Sequence, residues 1–222
     1  EPGILLQEGT LAFEDIWPAG GDYDLNDVIV EYTRMVAYNT NNQVTKISET
    51  FTPVQPDNSA NNNNFFGYQV TNVGTPTIDA GMIKENDTNS FVIVDHVKAA
   101  KGKSFTVTRS FATPLDKNTV LEDFNPYIIV KAYTEANRVE VHLPKHNMTS
   151  AADASKMNAD NAYYIGSGGV FPFAINIPIK GFIPVTETIR IDKAGEYPSF
   201  ANWAKSKGAS DSDWYLKDKG RK

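Results

Sequence analysis

The sequence predicts an all-β fold: a two-sheet sandwich of jelly-roll type with one short C-terminal helix. Three observations carry this. Apolar residues recur at every second position along most of the chain. About ten such runs follow one another at short spacing, separated by Gly, Pro, Asn and Asp clusters. Helical spacing of apolar residues shows at one place, Phe200, Trp203 and Ala204. With 222 residues, 41% of them hydrophobic, the chain fits one such domain over residues 1–222 and builds a core without staples.

Taken in order, Leu11 and Phe13 alternate toward the end of a first strand. Val28, Val30, Tyr32, Val36 and Tyr38 share one face of a long second strand, interrupted by Arg34. Asn39 to Asn42 is a turn, and Val44 to Phe51 is the returning strand of a hairpin. Thr52 to Asn64, with two prolines, Asp57 and four consecutive asparagines, reads as a loop. Further strands are expected at Phe65 to Val70, Thr77 to Ile83, Phe91 to Val94, Ser104 to Phe111, Tyr127 to Tyr133, Arg138 to Leu143 and Val170 to Ile179. Lys84 to Ser90 and Thr113 to Asn118 read as turns, and Pro144 to Gly169 as a long irregular segment. Ser199 is placed to cap the helix and Gly208 to end it.

Composition excludes several classes. Net charge is -6 and the Lys and Arg residues are scattered, which argues against nucleic acid or an anionic membrane as partner. With Cys at 0, disulfides, thiol catalysis and thiolate-bound metals are out. No apolar run approaches the ~20 residues that span a bilayer. No signal peptide is visible, and a first residue other than Met is what a mature or trimmed chain would show.

The chemistry concentrates between Phe13 and Val28. Glu14, Asp15, Asp22, Asp24, Asn26 and Asp27 crowd around a Pro/Gly turn directly before a β-prone run. Alternating hard oxygen donors are what calcium requires, and magnesium, with strict octahedral geometry, suits such a loop less well. A cation also relieves the repulsion of converging carboxylates, about 4 kcal/mol for two charges ~4 Å apart near a protein surface. Asp22-x-Asp24-x-Asn26 matches the first ligand positions of an EF-hand, yet Asp27 stands where the turn glycine belongs and Thr33 where the closing glutamate belongs. The competing reading is an acidic turn whose Asp and Asn side chains bind nearby backbone amides. Trp17 and Tyr23 are candidate ligand-contacting aromatics: exposed rings there would stack on sugar, whereas buried ones would cover an open end of the sandwich.

Other constellations carry less. Clustered on one turn, the acidic residues do not offer the separated, unlike carboxylates of a glycosidase. His96, His142 and His146 have the inventory of a zinc site, but nothing in their spacing demands one. Ser167 within Gly166-Ser167-Gly168-Gly169 lacks the order of a nucleophile elbow.

Larger blocks of sequence point to a family. Leu11-Ala12-Phe13-Glu14-Asp15-x-Trp17-Pro18-x-x-Gly21-Asp22-Tyr23-Asp24-x-Asn26-Asp27, Glu140-Val141-His142-Leu143-Pro144, Phe173-Ala174-Ile175-Asn176-Ile177-Pro178, Tyr197-Pro198-x-Phe200-x-x-Trp203-Ala204-x-Ser206 and Asp213-Trp214-Tyr215 together resemble the LruC domain family. The resemblance implies a C-terminal domain of a bacterial, Bacteroidetes-type cell-envelope lipoprotein. Such a domain is extracytoplasmic, lipid-anchored through a segment outside this chain, and binds calcium through its acidic loop. Leu25 stands where Phe is frequent in that family, a change that leaves the carboxylates untouched. The resemblance implies no reaction. The function expected is therefore a non-enzymatic, calcium-stabilised envelope domain for surface adhesion, glycan binding or assembly, its partner a surface glycan or another envelope protein. Alternatives are a calcium-assisted enzyme acting on envelope polysaccharide or peptide, and a passive spacer or oligomerisation module.

Overall fold

The computed structural model describes residues 2–18, 21–55, 64–130, 135–156, 171–187, 189–193 and 195–218. Among them are eleven strands: β1 (Gly3–Phe13), β2 (Val28–Tyr38), β3 (Gln43–Gln55), β4 (Phe65–Gln69), β5 (Thr75–Ile78), β6 (Ile83–Glu85), β7 (Ser90–Val94), β8 (Phe105–Asp116), β9 (Asn125–Ile129), β10 (Glu140–His142) and β11 (Ala174–Ile177). Two short helices accompany them, α1 (Lys117–Glu122) and α2 (Phe200–Lys205). One antiparallel sheet runs β11-β1-β2-β3-β8-β5 and the other β10-β9-β4-β7-β6. Alternation decides which side chains face inward. Leu11, Phe13, Val30 and Phe51 of the first sheet meet Phe66, Tyr68, Phe91 and Ile128 of the second in one apolar core. Phe51 lies 5.2 Å from Phe66 and 5.1 Å from Tyr68, ring to ring, so the two layers touch through aromatic contacts.

Arg34 does not interrupt its strand. Its side chain is buried on the inward face, where Nε donates to Glu49 at 3.1 Å and the two Nη atoms cap the carbonyls of Leu121 and Val120 at 3.0 Å. Arg109 reaches the same Glu49 through Nε at 3.2 Å and Nη2 at 3.0 Å, and the Tyr68 hydroxyl donates to it as well. One buried carboxylate thus serves two guanidiniums. That arrangement satisfies charges which would be costly to bury alone.

Other expectations need correcting. The run Thr77 to Ile83 is two strands, not one: β5 and β6 belong to different sheets, and the turn between them contains Gly81 at φ 94. Within Thr113 to Asn118, the chain stays in β8 to Asp116 and then enters α1, because the Asp116 side chain accepts the Asn118 and Thr119 amides at 2.9 and 3.1 Å. β3 runs on to Gln55 through a stretch expected as loop, and β1 reaches back to Gly3. The strand expected from Val170 covers Ala174–Ile177, and the one expected to reach Tyr133 ends at Ile129. The irregular stretch from Pro144 carries a 3-10 turn at Ala154–Lys156. Positions 56–63, 131–134 and 157–170, the last including Ser167, lie outside the described residues.

Candidate functional site

β1 and β2 pair in register from Gly3↔Tyr38 to Phe13↔Val28, so the connecting loop leaves and re-enters the sheet at adjacent points. The loop is pinned to the body of the domain. Glu14 N–H donates to the Phe173 carbonyl at 2.8 Å, the Tyr23 hydroxyl to the Pro172 carbonyl at 2.6 Å, and Ile191 N–H to the Tyr23 carbonyl at 3.0 Å. Arg190 holds the Gly21 carbonyl at 2.9 Å and lies over the Tyr23 ring. Tyr23 and Leu25 both take left-handed backbone, with φ of 50 and 56.

This path brings Glu14, Asp22 and Asp24 together: one carboxylate oxygen from each lies within 4.8 Å of the others. Glu14 is 0% and Asp24 1% exposed, while Asp22 opens the group to solvent. Glu14 Oε1 accepts the Leu25 N–H, and Asp24 Oδ1 accepts the Asn26 N–H at 3.2 Å. The second oxygens, Glu14 Oε2 and Asp24 Oδ2, are buried without a hydrogen-bond partner. Burial first, then the carboxylates of Asp27, Asp24 and Asp22, pushes Glu14 up to about 9. Burial and Asp22 push Asp24 up to about 6. Buried carboxylate oxygens with nothing to bind are expensive unless protonated or shared with a cation. The donor set is all oxygen, as calcium prefers.

The other predicted ligands are placed differently. Asp27 Oδ2 accepts the Asp15 N–H at 2.8 Å, and Asp15 Oδ2 accepts from the Asn64 side chain at 2.8 Å. Burial and the neighbouring Asp15 raise Asp27 to about 7. Asn26 turns its amide to Glu187 at 3.2 Å. Glu187, 161 residues away, is a carboxylate beside the loop that no local pattern announces. Trp17 and Tyr23 are 4% and 3% exposed, which corrects the idea that they stack on a ligand: Tyr23 packs against Phe171, Phe173 and Phe200. The three histidines do not form a zinc site. His142 is fully buried, with Nε2 on Glu140 at 2.8 Å and Nδ1 on Asn125 at 2.7 Å, while His96 pairs with Asp95 at 3.3 Å.

A cleft of about 580 Å³ opens where the α1–β9 connection meets the turns after β4 and β10, and Asn72, Asp123, Asn125 and His146 line it. Its acids, Glu122 and Asp123, are sequence neighbours, and Asp123 is bound to the Thr71 and Asn72 amides at 2.6 and 3.0 Å.

Fold and loop together define a β-sandwich with a three-carboxylate candidate cation site between its first two strands. The chain belongs to the family described as a domain of unknown function (DUF4842), which matches residues 26–215. That match begins inside the loop, after Glu14, Asp22 and Asp24. No curated protein matches the chain, and no solved structure does.

Proposed function

We propose that this is a non-enzymatic, extracytoplasmic domain whose β1–β2 loop binds calcium to stabilise the fold, and which presents its surface to a glycan or another envelope protein. The observation that carries the calcium reading is the pair of buried, unpartnered oxygens on Glu14 and Asp24, in residues that bring a carboxylate oxygen within 4.8 Å of one another and of Asp22. Calcium bound there would join the end of β1 to the loop leading into β2, making binding free energy part of folding free energy. The envelope location rests on the resemblance to LruC domains. The non-enzymatic reading is supported by the cleft of about 580 Å³, whose acids, Glu122 and Asp123, are sequence neighbours, Asp123 being already bound to two backbone amides.

Terbium, which substitutes for calcium, provides the test. Bound beside Trp17 and Tyr23, it should luminesce on aromatic excitation and be displaced by calcium, and Asp24→Ala should abolish both. Terbium signal of wild-type strength from Asp24→Ala would reject the site.

A further inference from the structure

We propose that the groove between β10, β11 and α2 binds an acidic saccharide, with Trp203 as the stacking platform and Lys145 and Lys207 as charge partners. The groove encloses about 370 Å³, within the range of small-molecule sites. Its floor is apolar, from Leu143, Pro172 and Ile175. Trp203 packs on Phe200 and Trp214 (ring centroids 5.6 and 5.5 Å) and, half-buried, also lines the groove. A flat indole beside hydrogen-bonding groups suits the apolar face of a sugar ring.

Charge selects the kind of sugar. Lys145, His146 and Lys207 line the groove and no Asp or Glu does, in a chain whose net charge is -6. The same two lysines also take left-handed backbone. Pro144-Lys145 forms the centre of a turn closed by His146 N–H on the Leu143 carbonyl at 3.2 Å, with Lys145 at φ 69. That position of a type II turn calls for Gly or Asn. Lys207, at φ 54, follows the Ser206 C-cap of α2, where Gly is the usual residue. Both lysines therefore occupy glycine positions at a conformational cost, and both point to function at this groove. Lys145 and His146 also line the larger cleft, together with Asn72, Asn89 and Asn147. An oligosaccharide continuing past the acidic ring would meet donors and acceptors there. That mixture favours a saccharide over an anionic lipid or an acidic peptide.

The inference rests on the domain being a binding module and not on the calcium loop, which contributes no residue to the groove. Calorimetric titration with galacturonate, mannuronate and glucuronate oligosaccharides and a sialylated trisaccharide tests it. Carboxyl-reduced counterparts, decanoate and a glutamate-rich peptide serve as comparisons. At least one acidic saccharide should saturate the protein, and its neutral counterpart should bind about tenfold more weakly or worse. Lys145→Gly/Lys207→Gly should weaken binding by about tenfold or more while leaving the melting temperature equal or higher by roughly 2–4 °C per site. Trp203→Ala should weaken it as well. The proposal is overturned if no acidic saccharide binds below about 10 mM, if the double glycine variant binds as wild type, or if decanoate or the peptide binds in place of the sugars. A melting temperature indifferent to calcium would leave these outcomes unaffected.

Discussion

Glu14→Gln should stabilise the chain in chelator and lose much of that advantage over wild type in calcium. In the folded, metal-free chain the Glu14 carboxyl is pushed from 4.5 up to about 9, chiefly by burial. At pH 8 folding must then bring a proton to a group that the unfolded chain keeps ionised. Across about 3.5 pH units, at about 1.4 kcal/mol each, that costs up to about 5 kcal/mol. Glutamine keeps the shape and the oxygen that accepts the Leu25 N–H but needs no proton. In chelator at pH 8 the variant should therefore melt above wild type by as much as ~10–20 °C, at 2–4 °C per kcal/mol for a chain of this size. Calcium acts in the opposite direction. With the affinity of an extracellular module, about 0.1–1 mM, 10 mM calcium stabilises wild type by roughly 1.4–2.7 kcal/mol, or about 3–11 °C. The variant, having lost a carboxylate ligand, should gain much less. Melting curves of both proteins in both conditions decide the matter. Equal calcium increments, or a variant less stable than wild type in chelator, would refute the reasoning.

Three further outcomes follow from the same structure. Because Glu14, Asp27 and Asp24 are raised to about 9, 7 and 6 in the folded chain, their stabilising contribution is complete below about pH 4 and is lost as pH rises through those values. Chelated protein should thus melt progressively lower from pH 5 to 9 and calcium-loaded protein much less so; a chelated melting temperature that climbs over this range contradicts the burial argument. Glu49→Gln strips the shared anion from Arg34 and Arg109 and should cost about 3–5 kcal/mol, a fall of about 6–20 °C in calcium and chelator alike. Gly9→Ala would place a Cβ 2.6 Å from the Ile177 carbonyl and 2.7 Å from the Tyr32 hydroxyl. It should cost about 1–3 kcal/mol and speed amide exchange at the β1–β11 pairs; unchanged exchange from Thr10 to Phe13 would show that the strands adjust freely.

Much of the architecture was legible because strand alternation is local. Val28 to Tyr38 announces its inward face whatever the rest of the chain does. The misreadings came where a distant partner decides. Arg34 looked like an interruption because Glu49 and Arg109 lie in other strands, and no periodicity reports a buried ion pair. α1 was hidden because six residues are too few for a helical period to emerge, and its strongest signal is the Asp116 cap. In the loop, Glu14, Asp22 and Asp24 were readable as a cluster because the chain itself keeps them near. Which acids converge was not readable, since the hydrogen bonds of Asp15 and Asp27 and the approach of Glu187 belong to tertiary structure. Burial of Tyr23 likewise depends on Pro172 and on Phe200 of α2, far along the sequence.

The sheet orders place β5 and β6, the two ends joined by the Asp79 to Met82 turn, along one flank of the sandwich, and β10 and β11 along the other. The first flank is stapled by covalent chain only four residues long. At the second, Trp203 and the two left-handed lysines line the groove beside β10 and β11. The short turn therefore fixes the spacing of the two layers at the β5–β6 flank, at the opposite edge of both sheets from the groove.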